Sequence, residues 1–297
     1  MKQTSPVTRR DFLRGTAGLI MAMGLGPSDP AEAKVEDKAR VVVIRHQKVL
    51  GADGKMDGNI LKSMLDEALQ MLLNEKEPLP AWQKMFHKTD VVGIKSNVWR
   101  YLPTPEEMEQ VIRRRLLDLG IPERALSVDD RDVLNNPVFL KSTALINVRP
   151  LRTHYWSGIG SCLKNYIMFV PTPSAYHNNG CSDLGKIWTL PPVKGKTRLN
   201  ILVALTPQFY GRGPHSFDRR YLWAYKGLIV GTDPVAVSAV GAELLRLKRI
   251  AFFGEDRELD VQPIHITVAD KKYHLGISDL NRIEIIKLGW QEQVLLA

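Results

Sequence analysis

Val91-Val92-Gly93-Ile94-Lys95-Ser96-Asn97 is a short apolar run that ends abruptly in polar residues. Four apolar residues with two adjacent valines read as a strand buried on both faces. Seven residues later comes Thr104-Pro105-Glu106-Glu107. Thr as N-cap, Pro at the first helical position and Glu at the third form a capping box, and this predicts a helix from there to about residue 119. A further apolar run at 125–128 completes a strand–helix–strand unit.

The same alternation extends in both directions. Residues 41–44, Val-Val-Val-Ile, predict a strand, and 59–73 repeat apolar residues at the helix period. Downstream, 144–148, 199–205 and 228–230 read as strands. Asp233-Pro234 opens a helix through 247 by cap-and-proline logic, and 263–268 and 283–288 read as two last strands. Strands alternating with helices predict an α/β fold. The expected form is a mostly parallel sheet flanked by helices, Rossmann-like, in one large domain or two tightly joined lobes. Residues 171–198 are rich in Pro, Gly and Asn and show no period, which marks them as a candidate lid or binding loop.

Ahead of this pattern stands a leader. Arg9-Arg10 precedes Phe12-Leu13, an apolar stretch over 15–26, and Ala31-Glu32-Ala33. An arginine pair, a short apolar segment and a small-x-small site in that order resemble a twin-arginine signal cleaved after Ala33. Twelve apolar residues reach about 18 Å as a helix, short of a membrane's ~30 Å core. The expectation is an α/β domain over 34–297, carried to the periplasm by the twin-arginine translocon and holding no permanent membrane anchor.

Composition narrows the function. The 297 residues contain 44% hydrophobic and 25% charged residues, which excludes disorder and coiled coil. The formal net charge is +9. An exported basic protein meets little nucleic acid, so the excess charge points to small anions. Two cysteines are too few for this chain alone to hold an iron–sulfur cluster.

The strand ends carry the chemistry. In open α/β sheets ligands gather at the carboxyl ends of strands. Those ends here hold Lys95 and Asn97, then Asp129-Asp130-Arg131-Asp132, then Asn147, Arg149, Arg152 and His154. Ser157-Gly158-Ile159-Gly160-Ser161 follows, and Lys164-Asn165 comes next. Small residues let backbone amides approach an anion. A histidine can serve as acid or base, and a lysine can bind an anion or form a covalent link. The predicted ligand set is Lys95, Asn97, Asn147, Arg149, Arg152 and Asn165, with His154 and Lys164 as candidate catalytic groups. The cofactor is open. His177, His215 and Asp129 are the candidate metal ligands. Trp99 and Trp156 either stack on a planar ligand or pack. Asp233 reads first as a helix cap. Cys162 and Cys181 either bridge, tying the 171–180 loop toward Lys164, or stand as separate thiols.

Four segments resemble the family called domain of unknown function 362 (DUF 362). They are 92–97, 147–154, Leu163-Lys164-Asn165 and Gly231-Thr232-Asp233-Pro234-Val235-Ala236-Val237. Arg152 stands where that family usually has Lys, and Ala204 and Ser238 stand where Asp is common. A narrower stretch, 154–164, is similar to a segment of the lactate racemase family. There a His serves as acid/base and a Lys ten residues later is joined to a nickel pincer nucleotide. The resemblance implies those roles for His154 and Lys164. The function expected is therefore binding of a small, carboxylate-like anion or a metal or redox cofactor in a basic cleft. An isomerase or racemase built on His154 and Lys164, and a non-enzymatic cofactor carrier, are the alternatives.

Overall fold

A computed structural model describes residues 38–296; the leader lies outside them, as do the side chains of Pro214 and His215. The described residues form one domain. Eight strands make a single sheet: β1 (Ala39–Arg45), β2 (Val92–Lys95), β3 (Leu126–Asp129), β4 (Ala144–His154), β5 (Gly158–Gly160), β6 (Thr197–Gln208), β7 (Gly227–Gly231) and β8 (Ile283–Gly289). The order is β3-β2-β4-β6-β7-β1-β8, with β5 folded back on the end of β4. Neighbours are parallel except for the β6–β7, β7–β1 and β4–β5 pairs. Residues 209–226 hold only short turns and no crossover helix, so the chain re-enters beside β6 in the opposite direction.

Alternation along the strands builds two cores. Val42, Ile44, Ile94, Ile146 and Ile201 face α1 (Gly58–Leu73), α2 (Pro78–Met85) and α3 (Glu106–Asp118). Val41, Val43, Leu145, Leu202 and Ile229 face α4 (Cys162–Asn165), α5 (Pro234–Phe253) and α6 (His265–Lys271). The result is a Rossmann-like α/β/α layering. Helix α1 buries Leu61, Met64, Leu65, Ala68, Leu69 and Leu72, a stripe at the helix period. Asp57 caps it by accepting from Asn59 and Ile60 N–H at 2.9 and 3.0 Å. Helix α5 starts as its sequence predicts: Asp233 Oδ1 accepts from Val235 and Ala236 N–H at 2.7 and 2.9 Å. Among the described residues no helix is long and apolar enough to cross a membrane.

Three expectations are corrected. Residues 263–268 are not a strand; most of them enter α6, which buries His265, Ile266 and Ala269. A six-residue apolar window is too short to separate the two periods. The capping box at Thr104 does not form, and Pro105 is the N-cap of α3. Thr104 Oγ1 instead accepts from Asn97 N–H at 3.1 Å and donates to Val148 O at 3.4 Å, which ties the loop after β2 to β4. Residues 171–198 are not an open loop: they fold into short turns that bury Cys181, Leu184 and Ile187 against the core.

Candidate functional site: a basic cavity at the sheet's switch point

The chain leaves β2 through α3 on one face, and leaves β3 through a turn whose Phe139 packs on the other. Strands β3 and β4 flank β2 on opposite sides. The loops leaving β2 and β3 therefore diverge and open a crevice at the carboxyl end of β2, the place where α/β sheets take ligands.

A cavity of about 310 Å³ occupies this position. Its polar wall is Asn97, Asp130, Arg131, Arg149, His154, Lys164 and Asn165, and Trp99, Ile167 and Met168 add an apolar side. Three strands, β2, β3 and β4, and one short helix thus deliver the polar residues that the sequence scattered over 97–165.

Arg149 lies on the β4 face that carries α4 and is 2% exposed. It donates to Ser161 O at 3.2 Å, while its Nε has no partner. Gly160 makes room for it, because a side chain there would put a Cβ 3.0 Å from Arg149 Cζ. Burial lowers the guanidinium pKa to about 10, with Asp130 opposing. Lys164, on α4, is 4% exposed, and its Nζ has no nitrogen or oxygen partner, only the Cys181 thiol beside it. It sits 5.8 Å from the Trp156 ring centre. Burial lowers its pKa to about 8; the nearby Cys181 opposes this and Arg149 adds to it.

His154 ends β4 and is buried. Its Nδ1 accepts from Trp156 N–H at 3.2 Å, so the neutral ring carries its proton on Nε2. Burial first, then Lys164, Arg149, Arg152 and His177, push its pKa well below the ordinary value. In the resting state His154 is a neutral donor.

The other predicted residues support this wall. Lys95 is fully buried, pairs with Asp130 and donates to Ser96 O at 2.8 Å. It positions Asp130 and does not line the cavity. Arg152 donates to Leu102 O and, at 2.8 Å, to Asn97 Oδ1, which fixes the loop after β2. Asn165 Nδ2 donates to Lys95 O at 3.1 Å and Asn147 Oδ1 at 2.9 Å. Asn147 Nδ2 in turn donates to Cys162 O at 3.0 Å and Asn200 Oδ1 at 3.1 Å. This amide chain locks α4 to β2, β4 and β6, so Asn147 acts through its neighbours rather than on a ligand.

Among the described residues no three His, Cys, Asp or Glu side chains gather as metal ligands. Asp129 is engaged in its own turn, accepting from Asp132 N–H at 3.0 Å and Asn136 Nδ2 at 2.9 Å. His177 stacks on Trp156 with ring centres 3.6 Å apart, and the His215 side chain is outside the description. Cys162 and Cys181 are free, buried thiols. Burial pushes Cys162 up to about 12. Cys181 Sγ donates to Trp156 O at 3.4 Å, so each thiol is held by its own surroundings.

Two contributors were not assigned from the sequence: Asp130, read there only as part of a polar strand end, and His265. Asp130 is the buried partner of Lys95. His265, on α6, meets Ser161 Oγ through Nε2 at 2.8 Å, and that same hydroxyl accepts from Lys164 N–H at 3.5 Å. His265 therefore steadies the start of the helix that carries Lys164. No local signal marks a contact 104 residues apart in sequence.

Residues 123–243 match the model of the family described as Domain of unknown function (DUF362). The matched part contributes Asp130, Arg149, His154, Lys164 and Asn165 to the cavity, and Asn97 comes from the preceding strand end. No curated protein and no solved structure matches the chain. Ala204 is fully buried and Ser238 Oγ donates to Pro234 O at 2.6 Å within α5; neither lines the cavity.

Proposed function

We propose that the cavity at the end of β2 binds a small carboxylate-like anion. One observation carries this reading. Lys95, Arg149, Arg152 and Lys164 are buried around the cavity, and Asp130 is the one buried carboxylate beside them. An unpaired buried charge costs several kcal/mol. At an effective dielectric near 20, one opposite charge at 4 Å returns about 4 kcal/mol. A dianion or a compact monoanion in the cavity would meet Arg149, Lys164 and the Nε2–H of His154, with Asn97 and Asn165 as further polar contacts. The apolar side formed by Trp99, Ile167 and Met168 suits a short carbon skeleton. His154 enters as a donor to the anion, since Nδ1 is already occupied.

With residues 1–33 acting as a twin-arginine signal, the domain would reach the periplasm already folded. Retention of an Arg9→Lys/Arg10→Lys precursor in the cytoplasm would support that address, and normal export would remove it.

The binding test is thermal unfolding of the mature domain with oxalate, malonate, malate, sulfate and phosphate, each against chloride at equal ionic strength. A ligand at a hundredfold its Kd stabilises by about 2.7 kcal/mol. A saturable rise in Tm that disappears in Arg149→Met supports the site. Equal curves for all salts would overturn it.

A further inference from the structure

Charge alone does not account for Lys164. A lysine that only binds anions keeps its proton and works best among hydrogen-bond acceptors. Lys164 has a buried Nζ with no nitrogen or oxygen partner, only the Cys181 thiol beside it, and it is set in the cavity wall with a second cation, Arg149, nearby. A buried amine beside another cation is the arrangement that gives a lysine nucleophilic character at mild pH. With its pKa lowered to about 8, roughly half the amine is unprotonated at that pH. In the same wall, His154 offers a neutral Nε2–H. Such a donor stabilises negative charge developing on an oxygen without first giving up a proton.

We infer that Lys164 forms an imine with the keto group of a 2-oxo carboxylate whose carboxylate is held by Arg149. This rests on the anion-binding reading and names its substrate class. The Nζ lone pair forms a C–N bond to the carbonyl carbon as the C=O π pair moves onto oxygen, where His154 Nε2–H stabilises it. One Nζ proton passes to that oxygen, giving a carbinolamine. The hydroxyl then leaves with the second Nζ proton as water, and C=N closes. Both amine hydrogens and the carbonyl oxygen are accounted for in the water, and no oxidant or reductant enters. The bulk of the cavity, about 310 Å³, admits a small oxo acid.

The test is reductive trapping. The mature domain is incubated with glyoxylate, pyruvate or 2-oxoglutarate and cyanoborohydride, then read by intact mass and peptide mapping. The expected product gains the mass of the oxo acid less one oxygen, on Lys164. Lys164→Arg removes the nucleophile and should lose the adduct. Malate, which has no keto group, should give stabilisation and no adduct in the native protein. Oxo-acid binding without a Lys164 adduct, or labelling spread evenly over surface lysines, overturns the imine and leaves the anion site standing. Absence of stabilisation by any of these acids, together with absence of the adduct, overturns both.

Discussion

The two faces of the sheet treat buried charge in opposite ways. Beneath α1, α2 and α3, each buried carboxylate is matched. Asp66 accepts from Arg115 through two bonds and from Trp82 Nε1 at 3.0 Å. Asp90 accepts from Arg198 at 2.6 and 3.0 Å, from Thr143 Oγ1 at 2.7 Å and from His87 N–H at 2.7 Å. At the end of β2 and on the face of α4 the cations outnumber their partners, and Arg149 Nε, Arg152 Nε and Lys164 Nζ are left without a nitrogen or oxygen partner. A fold gains nothing from leaving cations unmatched in its interior. The first arrangement is what stability alone would produce, and the second is what a ligand completes.

The largest expected effect lies on the matched side. Asp66→Ala removes the acceptor of Trp82 and the bidentate partner of Arg115, although Arg115 keeps Asp118 at 3.1 Å. Breaking one partner of a buried pair costs about 3 kcal/mol or more. Urea unfolding should show that loss with an unchanged m-value. Lys164→Met should behave oppositely, leaving ligand-free stability unchanged or raising it by about 1 kcal/mol, because it removes an unpaired buried cation. Equal destabilisation by both variants would erase the distinction between the two regions.

This distinction was only half legible in the sequence. Polar residues ending apolar strands marked Lys95, Asn97, Arg149 and His154, because strand direction fixes which ends share an edge. The pairing of charges was not legible, since it depends on registers such as Lys95 beside Asp129 and Asn147. Lys95 and Arg152 look like anion ligands in sequence and turn out to be engaged with Asp130 and Asn97. The Thr104 cap failed for a related reason: its hydroxyl had better partners at Asn97 and Val148, both brought in by the sheet. The fold itself was more legible, because most strands carry their own apolar signal. Strand β7 was legible at 228–230, but its antiparallel direction was not, because nothing local gives a strand's direction.

A pH titration sharpens the comparison with a smaller effect. Lys164 has a folded pKa of about 8 against 10.5 for a free lysine. Between those values the unfolded chain binds the proton and the folded chain does not, so this group makes stability rise as pH increases through the window. The gain is on the order of 3 kcal/mol at most across the whole interval. It is read as the difference between native and Lys164→Met unfolding curves, since other alkaline groups cancel. Anion-dependent stabilisation should fall over the same range as Lys164 loses its charge. A flat difference curve from pH 7 to 10 would mean that Lys164 is not desolvated in the folded protein.

Gly160→Ala gives the smallest stability effect and the most selective one. The new Cβ would crowd the Arg149 guanidinium, 3.0 Å from Cζ. The guanidinium is the far end of a long side chain, so it can swing aside, and the cost in unfolding free energy should be about 1 kcal/mol, the low end for overpacking. Its displacement has a different consequence for the ligand. Arg149 holds its place through Ser161 O at 3.2 Å and otherwise faces the cavity, so a shift of an ångström removes the fixed positive charge from the carboxylate's position. Anion affinity should fall tenfold or more while the Asp66 and Asp90 clusters stay intact. Calorimetric titration with malate beside urea unfolding separates the two readouts. Unchanged affinity in this variant would place the anion away from Arg149, and a loss of several kcal/mol would make Gly160 a folding residue rather than one that shapes the site.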